Sequence, residues 1–376
     1  MFELSPCQRA WVEVSPAAIE HNARTLLRHL KPGTQLMAVV KADGYGHGAV
    51  TVARAALQGG ASSLGVATLQ EGLELRAAGI NAPILLLSAL HSRDDLICCH
   101  GQRLMPTLSS LEEARLCEQI SAEQDDRPFP VQLKLDTGMS RLGADWRIGA
   151  ELVEQIRALS HLQLVGLYSH LACADDTNNA TTELQRQRLN AVMQALPDQG
   201  QGLCCHLANS AGTLQGSDLH LDMVRVGLAL YGQRPARHLG AGLPLQPALA
   251  VKARVSLIRN VPAGTGVSYG HRHITTEATR LAVVAIGYAD GVIRALSGKI
   301  HALHQGCPLP QVGAITMDQI VLDASARPEL QVGDTVTLLG RDGEASIEPG
   351  EWARHCESIS WEILCGFRKR LPRVEV

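Results

Sequence analysis

The chain of 376 residues has no long hydrophobic run, no block of like charge, few aromatics and only six lysines among its 34 basic residues. Nothing approaches the roughly eighteen unbroken apolar residues of a membrane span, and the opening MFELSPCQRAWVEVS lacks a basic segment leading into an apolar one. A membrane partner and export are therefore not expected, and a cytoplasmic location is. A net charge of −3 offers no surplus of positive charge to neutralise phosphates, so nucleic acid is not an expected partner either. The ten cysteines include the adjacent pairs Cys98–Cys99 and Cys204–Cys205 but no C-x-x-C spacing. They read as reduced, mostly buried thiols. His271 with His273, and His301 with His304, come without a carboxylate or cysteine cluster, and no metal is expected.

Hydrophobic content of 45% and this length suit a sizeable core and more than one domain. Short β-rich runs recur as QLMAVVK (35–41), SLGVAT (63–68), ILLLSAL (84–90), RLMPTL (103–108), VQLKLDT (131–137), LQLVGLYSH (162–170), GLCCHLAN (202–209) and LDMVRVGLALYG (221–232). Helical spacing fills the gaps, as in LQEGLELRAAG, where Gly79 is placed for a left-handed cap. Eight strand–helix repeats predict an α/β fold, an N-terminal (β/α)8 TIM-type barrel over residues 10–240. From 241 to 376 the pattern changes to short strands broken by Gly, Pro and Asp, which predicts a C-terminal, mostly β domain, with residues 1–9 joining it.

In a parallel barrel, chemistry gathers at the C-terminal ends of the strands. Lys41 ends the first run, Asp136 the fifth with Arg141 beyond it, His170 the sixth and Asn209–Ser210 the seventh, while Arg225 stands near the end of the eighth. Arginine is the default cation of this chain. A lysine kept at the end of a buried strand offers what guanidinium lacks, an amine that can lose its proton and attack a carbonyl. Lys41 is thus a Schiff-base candidate, for a sugar-phosphate aldolase or for pyridoxal phosphate chemistry. Both need a phosphate cradle, which NSAGTLQG with Ser210, and the amides around Gly227, can supply.

VVKADGYGHG, LKLDTGMSRLG, HLANSAG, DMVRVGLALYG, VSYG, GYADG, TMDQ and WEILCGFRKRLPR follow in order over essentially the whole chain. This pattern resembles the pyridoxal phosphate-dependent alanine racemases, enzymes of fold type III. The resemblance implies that Lys41 holds pyridoxal 5'-phosphate covalently, and that the chain works as a homodimer in which the β domain of one copy completes the site of the other. Racemisation takes a proton from one face of an α-carbon and returns one to the opposite face, most simply with two acid–base groups. By resemblance these are Lys41 and Tyr269, the latter from the partner. A free phenol titrates near about 10, so its phenolate needs help from nearby groups; the resemblance has His170 link Tyr269 to Arg225. Arg225 matches the arginine that faces the cofactor's ring nitrogen and leaves it unprotonated.

Arg141 matches a residue that contacts the ring oxygen and the substrate carboxylate, and Met317, through its amide, a second carboxylate contact. Lys134 falls where many members carry a carbamylated lysine; a plain lysine paired with Asp136 or another acid is the alternative. Tyr288 and Asp318 match partner residues that narrow the mouth of the site. Tyr45, Ser210, Gly227 and Leu228 match phosphate positions, as does Trp361, where the pattern commonly has Tyr. Ala314 stands where many members have Arg. The activity implied is interconversion of L- and D-alanine, with D-alanine feeding peptidoglycan synthesis. The alternatives are a racemase of broader or serine-type scope, a non-catalytic pyridoxal phosphate-binding homeostasis protein, and a barrel aldolase, decarboxylase or lyase.

Overall fold

The computed structural model describes residues 9–124, 127–176 and 178–376, and it divides into two compact units. One contains residues 17–44 and 49–246; the other contains residues up to 16, residues 45–48 and residues 247–376. The boundary expected at 240 falls at Gln246/Pro247. The first strand, β1 (Ala10–Val14), expected with the barrel, is part of the β unit, because it pairs antiparallel with a strand of that unit over Ala10↔Ala253 to Val14↔Leu249. Of the segment 1–9 expected to join the β unit, residues 1–8 lie outside the described residues.

Eight parallel strands form the barrel: β2 (Gln35–Val39), β3 (Ser63–Val66), β4 (Ile84–Leu86), β5 (Met105–Leu108), β6 (Phe129–Asp136), β8 (Leu162–Tyr168), β9 (Cys204–His206) and β10 (Met223–Val226), with a two-residue β7 (Ala144–Asp145) beside β6. Pairing of β10 with β2 and of β5 with β6 closes the ring. Each strand lies within one of the eight runs read from the sequence, allowing for β6 starting two residues early. Such strands are buried on both faces, which is why they read as continuous apolar stretches. Met37, Leu85, Tyr168 and Met223 pack together in one cluster of the core.

Helices α1 (Pro16–His29), α2 (Ala49–Gln58), α3 (Leu69–Ala77), α4 (Arg93–Gly101), α5 (Leu111–Gln124), α6 (Gly149–Arg157), α7 (Thr181–Ala195) and α8 (Ser210–Gln215) alternate with these strands. Gly79 follows α3 at φ +79°, with its amide and that of Ile80 bonded to Arg76 O and Leu75 O. It closes the helix as its sequence suggested.

In the β unit, β11 (Leu249–Val261), β14 (Thr279–Val284), β15 (His301–His304), β16 (Cys307–Val312), β17 (Ile320–Asp323) and β18 (Thr335–Asp342) pair in a closed cycle, and β1 and β20 (Arg373–Glu375) extend it. The minor strands are β12 (Gly266–Val267), β13 (His273–Ile274) and β19 (Ala345–Ile347), and two helices follow, α9 (Pro349–His355) and α10 (Ser360–Gly366). The long strand β11 shifts register at Val251/Lys252 and Val255/Leu257, so one strand bends between two sets of partners.

The GYADG turn is tied down by Asp290. Its fully buried carboxylate accepts from Arg9 Nη1 and Nη2 at 2.8 and 2.7 Å and from the Gly287 amide at 2.9 Å. Asp290→Ala would leave these donors without their acceptor. It is expected to cost about 2–4 kcal/mol in urea unfolding.

Candidate active site

Lys41 follows β2 directly, and the chain then turns through an uncommon backbone. Ala42, Asp43, Gly44 and Tyr45 all have φ between 52° and 59°, a left-handed turn built mostly from residues with a Cβ. Left-handed geometry costs roughly 1–2 kcal/mol per such residue, so the turn needs external fastening. Glu71, at the start of α3, provides it: Oε1 accepts from the Ala42 amide at 2.7 Å, while Oε2 accepts from Ala67 at 2.7 Å and Thr68 at 3.1 Å. Asp43 Oδ1 accepts from the Ala49 amide, and the Gly44 amide bonds Val40 O. Position 44 is crowded as well, since a Cβ there would stand 3.1 Å from Val52 Cγ2.

At the end of β6, Asp136 Oδ1 accepts from the amides of Gly138, Met139 and Ser140, at 2.9, 2.9 and 3.1 Å. Burial works against its charge, yet these bonds and nearby Lys134 hold the carboxyl below its usual value. Asp136 therefore shapes the loop that carries the exposed Arg141. Lys134 is buried, and among the described residues no carboxylate stands within ion-pair distance of it. Its Nζ lies 5.5 Å from the centre of the Tyr168 ring. Burial first, then Arg225, Arg141 and Lys41, lower its amine from 10.5 to about 8.

Arg225 is buried in the barrel unit, only 3% exposed. Nη1 donates to His206 Nδ1 at 2.7 Å; Nη2 donates to Ser169 O at 2.7 Å, Leu207 O at 3.1 Å and His170 Nδ1 at 3.1 Å. The guanidinium also lies 5.0 Å from the Tyr168 ring centre. Burial lowers it to about 10, so it stays charged at neutral pH. His170 and His206 are both pushed well below the usual imidazole value, by burial and then by Arg225. Each accepts a guanidinium hydrogen at Nδ1, so each is neutral and carries its proton on Nε2.

Asn209 caps α8, its Oδ1 accepting from Gly212 N. Ser210 Oγ accepts from the amides of Gly227 at 3.1 Å and Ala229 at 3.3 Å, which leaves its own proton to donate outward. Gly227 and Leu228 are buried beside it. The barrel unit thus brings together Lys41, Lys134, Arg141, His170 and Arg225, whose charges act on one another, and also Ser210 with Gly227 and Leu228.

The remaining candidates belong to the β unit. Tyr269, Met317 and Tyr288 are 73%, 53% and 42% exposed there. Their loops share one end of the unit: Ser268 Oγ donates to Ala314 O, and the Tyr288 amide donates to Thr316 O. Asp318 pairs with Arg370. Ser268, at φ 61°, is held left-handed next to Tyr269, and a Cβ at Gly313 would stand 2.7 Å from Val267 O. Trp361 is half-buried on α10, and Ala314 is buried. Tyr45, buried and with its phenol raised by that burial, goes with residues 45–48 of the β unit, not with the unit that holds Ser210. Tyr231, another motif tyrosine, is a core residue donating to Val39 O. Among the described residues no cluster suits a metal.

Gln132 and Tyr168 have no motif to mark them: they sit inside runs that read as ordinary strand, and their only sequence signal is polarity within otherwise apolar strands. His206 opens HLANSAG, whose spacing alone gives it no role.

A closed parallel barrel with an amine at the rim and a buried guanidinium held by neutral acceptors has the arrangement of a barrel enzyme whose chemistry gathers at the strand ends. Residues 14–235 match the model of the alanine racemase N-terminal domain and residues 248–375 that of the C-terminal domain. An alanine racemase of Prochlorococcus marinus is 55% identical over 378 residues, covering 100% of this chain and 98% of its own. The crystal structure of alanine racemase from a D-cycloserine-producing Streptomyces lavendulae superposes with a TM-score of 0.92 at 36% identity, covering 100% and 98%. That from Bartonella henselae, which carries covalently bound pyridoxal phosphate, gives 0.87 at 33% identity, covering 98% and 99%. The chain belongs to the alanine racemase family and is an enzyme of it.

The lowered amine of Lys134 has a sign that unfolding can read. Between about 8 and 10.5 the unfolded chain holds a proton that the folded one has released, so folded stability rises with pH across that window. Lys134→Met is expected to flatten this rise in urea unfolding followed over the same pH range.

Proposed function

We propose that this protein interconverts L-alanine and D-alanine with pyridoxal 5'-phosphate held on Lys41, as a homodimer in which Tyr269 of a second copy supplies the opposite-face base. The observation that carries the reading is the lysine at the end of β2 in the same unit as a buried arginine whose acceptors are all neutral. The residues present suit the cofactor. Lys41 offers an amine, Ser210 Oγ has a proton free to donate to a phosphate, and Arg225 offers the ring nitrogen a donor that does not readily give up its proton. Bound pyridoxal phosphate supplies an electron sink that acidifies the α-carbon.

The chain's own groups do the rest. The Lys41 amine takes or returns a proton on one face. The Tyr269 oxygen does so on the other, and the Nε2–H of neutral His170 is the donor that stabilises its phenolate. Arg141, through its fork of donors, and the Met317 amide hold the substrate carboxylate. Tyr288 and Asp318 narrow the mouth and keep the pocket small. Tyr45, Gly227, Leu228 and Trp361 complete the phosphate end. A Lys134 amine near 8 is partly neutral at physiological pH, the form able to take up CO2 as a carbamate and orient Arg141. Cytoplasmic D-alanine production for peptidoglycan fits this activity, and no described helix is long and apolar enough to cross a membrane.

The test is to incubate purified protein with pyridoxal phosphate and L-alanine, with L-serine and L-lysine in parallel, and follow the D-enantiomers by chiral chromatography. D-Alanine is expected to form fastest, and Lys41→Ala to abolish it. Cofactor binding with no racemisation of any amino acid would overturn the proposal. Tyr269→Phe is expected to lower racemisation by about 10²–10⁴. In heavy water that variant should still exchange the α-proton of one enantiomer only, the one that Lys41 serves.

Carbamylation has its own readout. Protein equilibrated with ¹³C-bicarbonate should show a carbamate carbon resonance that Lys134→Met lacks.

A further inference from the structure

The chain of hydrogen bonds behind Arg225 runs in only one direction. A guanidinium can only donate, so His206 Nδ1, 2.7 Å from Arg225 Nη1, must accept. His206 is fully buried, and its remaining proton sits on Nε2, which is 2.8 Å from Gln132 Oε1. An amide turned the other way would put a second donor against a ring whose nitrogens would then both have to accept, which no neutral imidazole can do. Arg225 thus fixes the tautomer of His206 and, through it, the orientation of the Gln132 amide, whose oxygen is the acceptor that satisfies the Nε2 proton.

The sequence makes room for this arrangement. Gln132 is registered against Gly166 of β8, next to a register shift at Val131/Gln132. A Cβ at Gly166 would stand 2.9 Å from Gln132 Cδ and 3.1 Å from Oε1. The His206 ring is held in plane by Tyr168, stacked at 4.7 Å and 5°. Tyr168 has its own one-way chain: Thr107 donates to Leu86 O at 2.6 Å and so accepts from the Tyr168 hydroxyl at 2.7 Å. Gln132 is buried, and among the described residues no hydrogen bond joins it to the proposed cofactor groups Lys41 or Ser210.

We propose that Gln132 is a positioning residue for the racemisation: by accepting from His206 it keeps an acceptor facing Arg225, and so holds Arg225 and the His170 proton in the arrangement the reaction uses. Without that oxygen the His206 Nε2 proton would be buried with no acceptor, and since a proton on Nδ1 would face a group that only donates, the ring can relieve this only by turning away from its place against Arg225. Arg225 would lose an acceptor and shift relative to His170. The inference rests on the function proposed above.

Two variants separate acceptor from bulk. Gln132→Met keeps the volume and removes the acceptor; Gln132→Glu keeps an acceptor in the same place. Histidine tautomers are read by ¹⁵N NMR of protein labelled with [¹⁵N]histidine, the resonances being assigned from His206→Asn and His170→Asn. The wild type is expected to show both residues protonated at Nε2 alone. Gln132→Met is expected to shift the ring ¹⁵N resonances of His206 and His170, as the His206 ring moves from its place against Arg225, and to lower kcat about tenfold at little-changed KM. Gln132→Glu is expected to keep the tautomer and more of the activity. A wild-type His206 protonated at Nδ1 overturns the inference, whether or not the variants fold. So does a folded Gln132→Met that leaves the ring ¹⁵N resonances of both histidines and kcat unchanged. A wild type that racemises nothing would overturn the proposed function instead, while the tautomer measurement still decides the role of Gln132.

Discussion

The Arg225 guanidinium is buried in the barrel, among the described residues no carboxylate pairs with it, and the rest of the site is arranged around that charge. Two backbone carbonyls, two imidazole nitrogens and the face of a phenol ring share it. Removing a cation from water is costly unless its donors are satisfied. Here they are satisfied by neutral acceptors, which imposes neutrality on His170 and His206 and puts their protons on the far nitrogens. Lys134 pays part of the electrostatic cost through its lowered amine. One residue therefore sets the protonation of several others, which is what a site that moves protons requires.

A second constraint is backbone strain. After Lys41 the chain runs left-handed through Ala42 and Asp43, and beside Tyr269 it does so at Ser268. Both of the proposed bases thus stand next to strained backbone that surrounding bonds over-determine, Glu71 in the one case and Ala314 O in the other. The strain fixes where each reactive atom begins its path.

Much of this was legible in the sequence. Parallel strands buried on both faces are apolar throughout, so all eight barrel strands stood out as runs, and Lys41, His170 and Arg225 stood out as polar endings to them. What escaped notice depends on pairing at a distance. Strand β1 looks like the start of a barrel, and only its antiparallel partner β11 assigns it to the β unit. The turn after Lys41 is carried largely by Ala42 and Asp43, residues with nothing local to mark them for a left-handed backbone, because Glu71, twenty-nine residues away, fastens the Ala42 amide. Gln132 carries no motif and His206 only opens HLANSAG; their meaning lies in the registers that bring them to Arg225.

The central claim is that Arg225 leaves the cofactor's ring nitrogen without a proton. The direct measurement is the ¹⁵N chemical shift of pyridoxal phosphate labelled at that nitrogen and reconstituted into the protein. The account predicts the shift of an unprotonated pyridine in the wild type, moving toward the protonated value in Arg225→Glu. A protonated nitrogen in the wild type would contradict it.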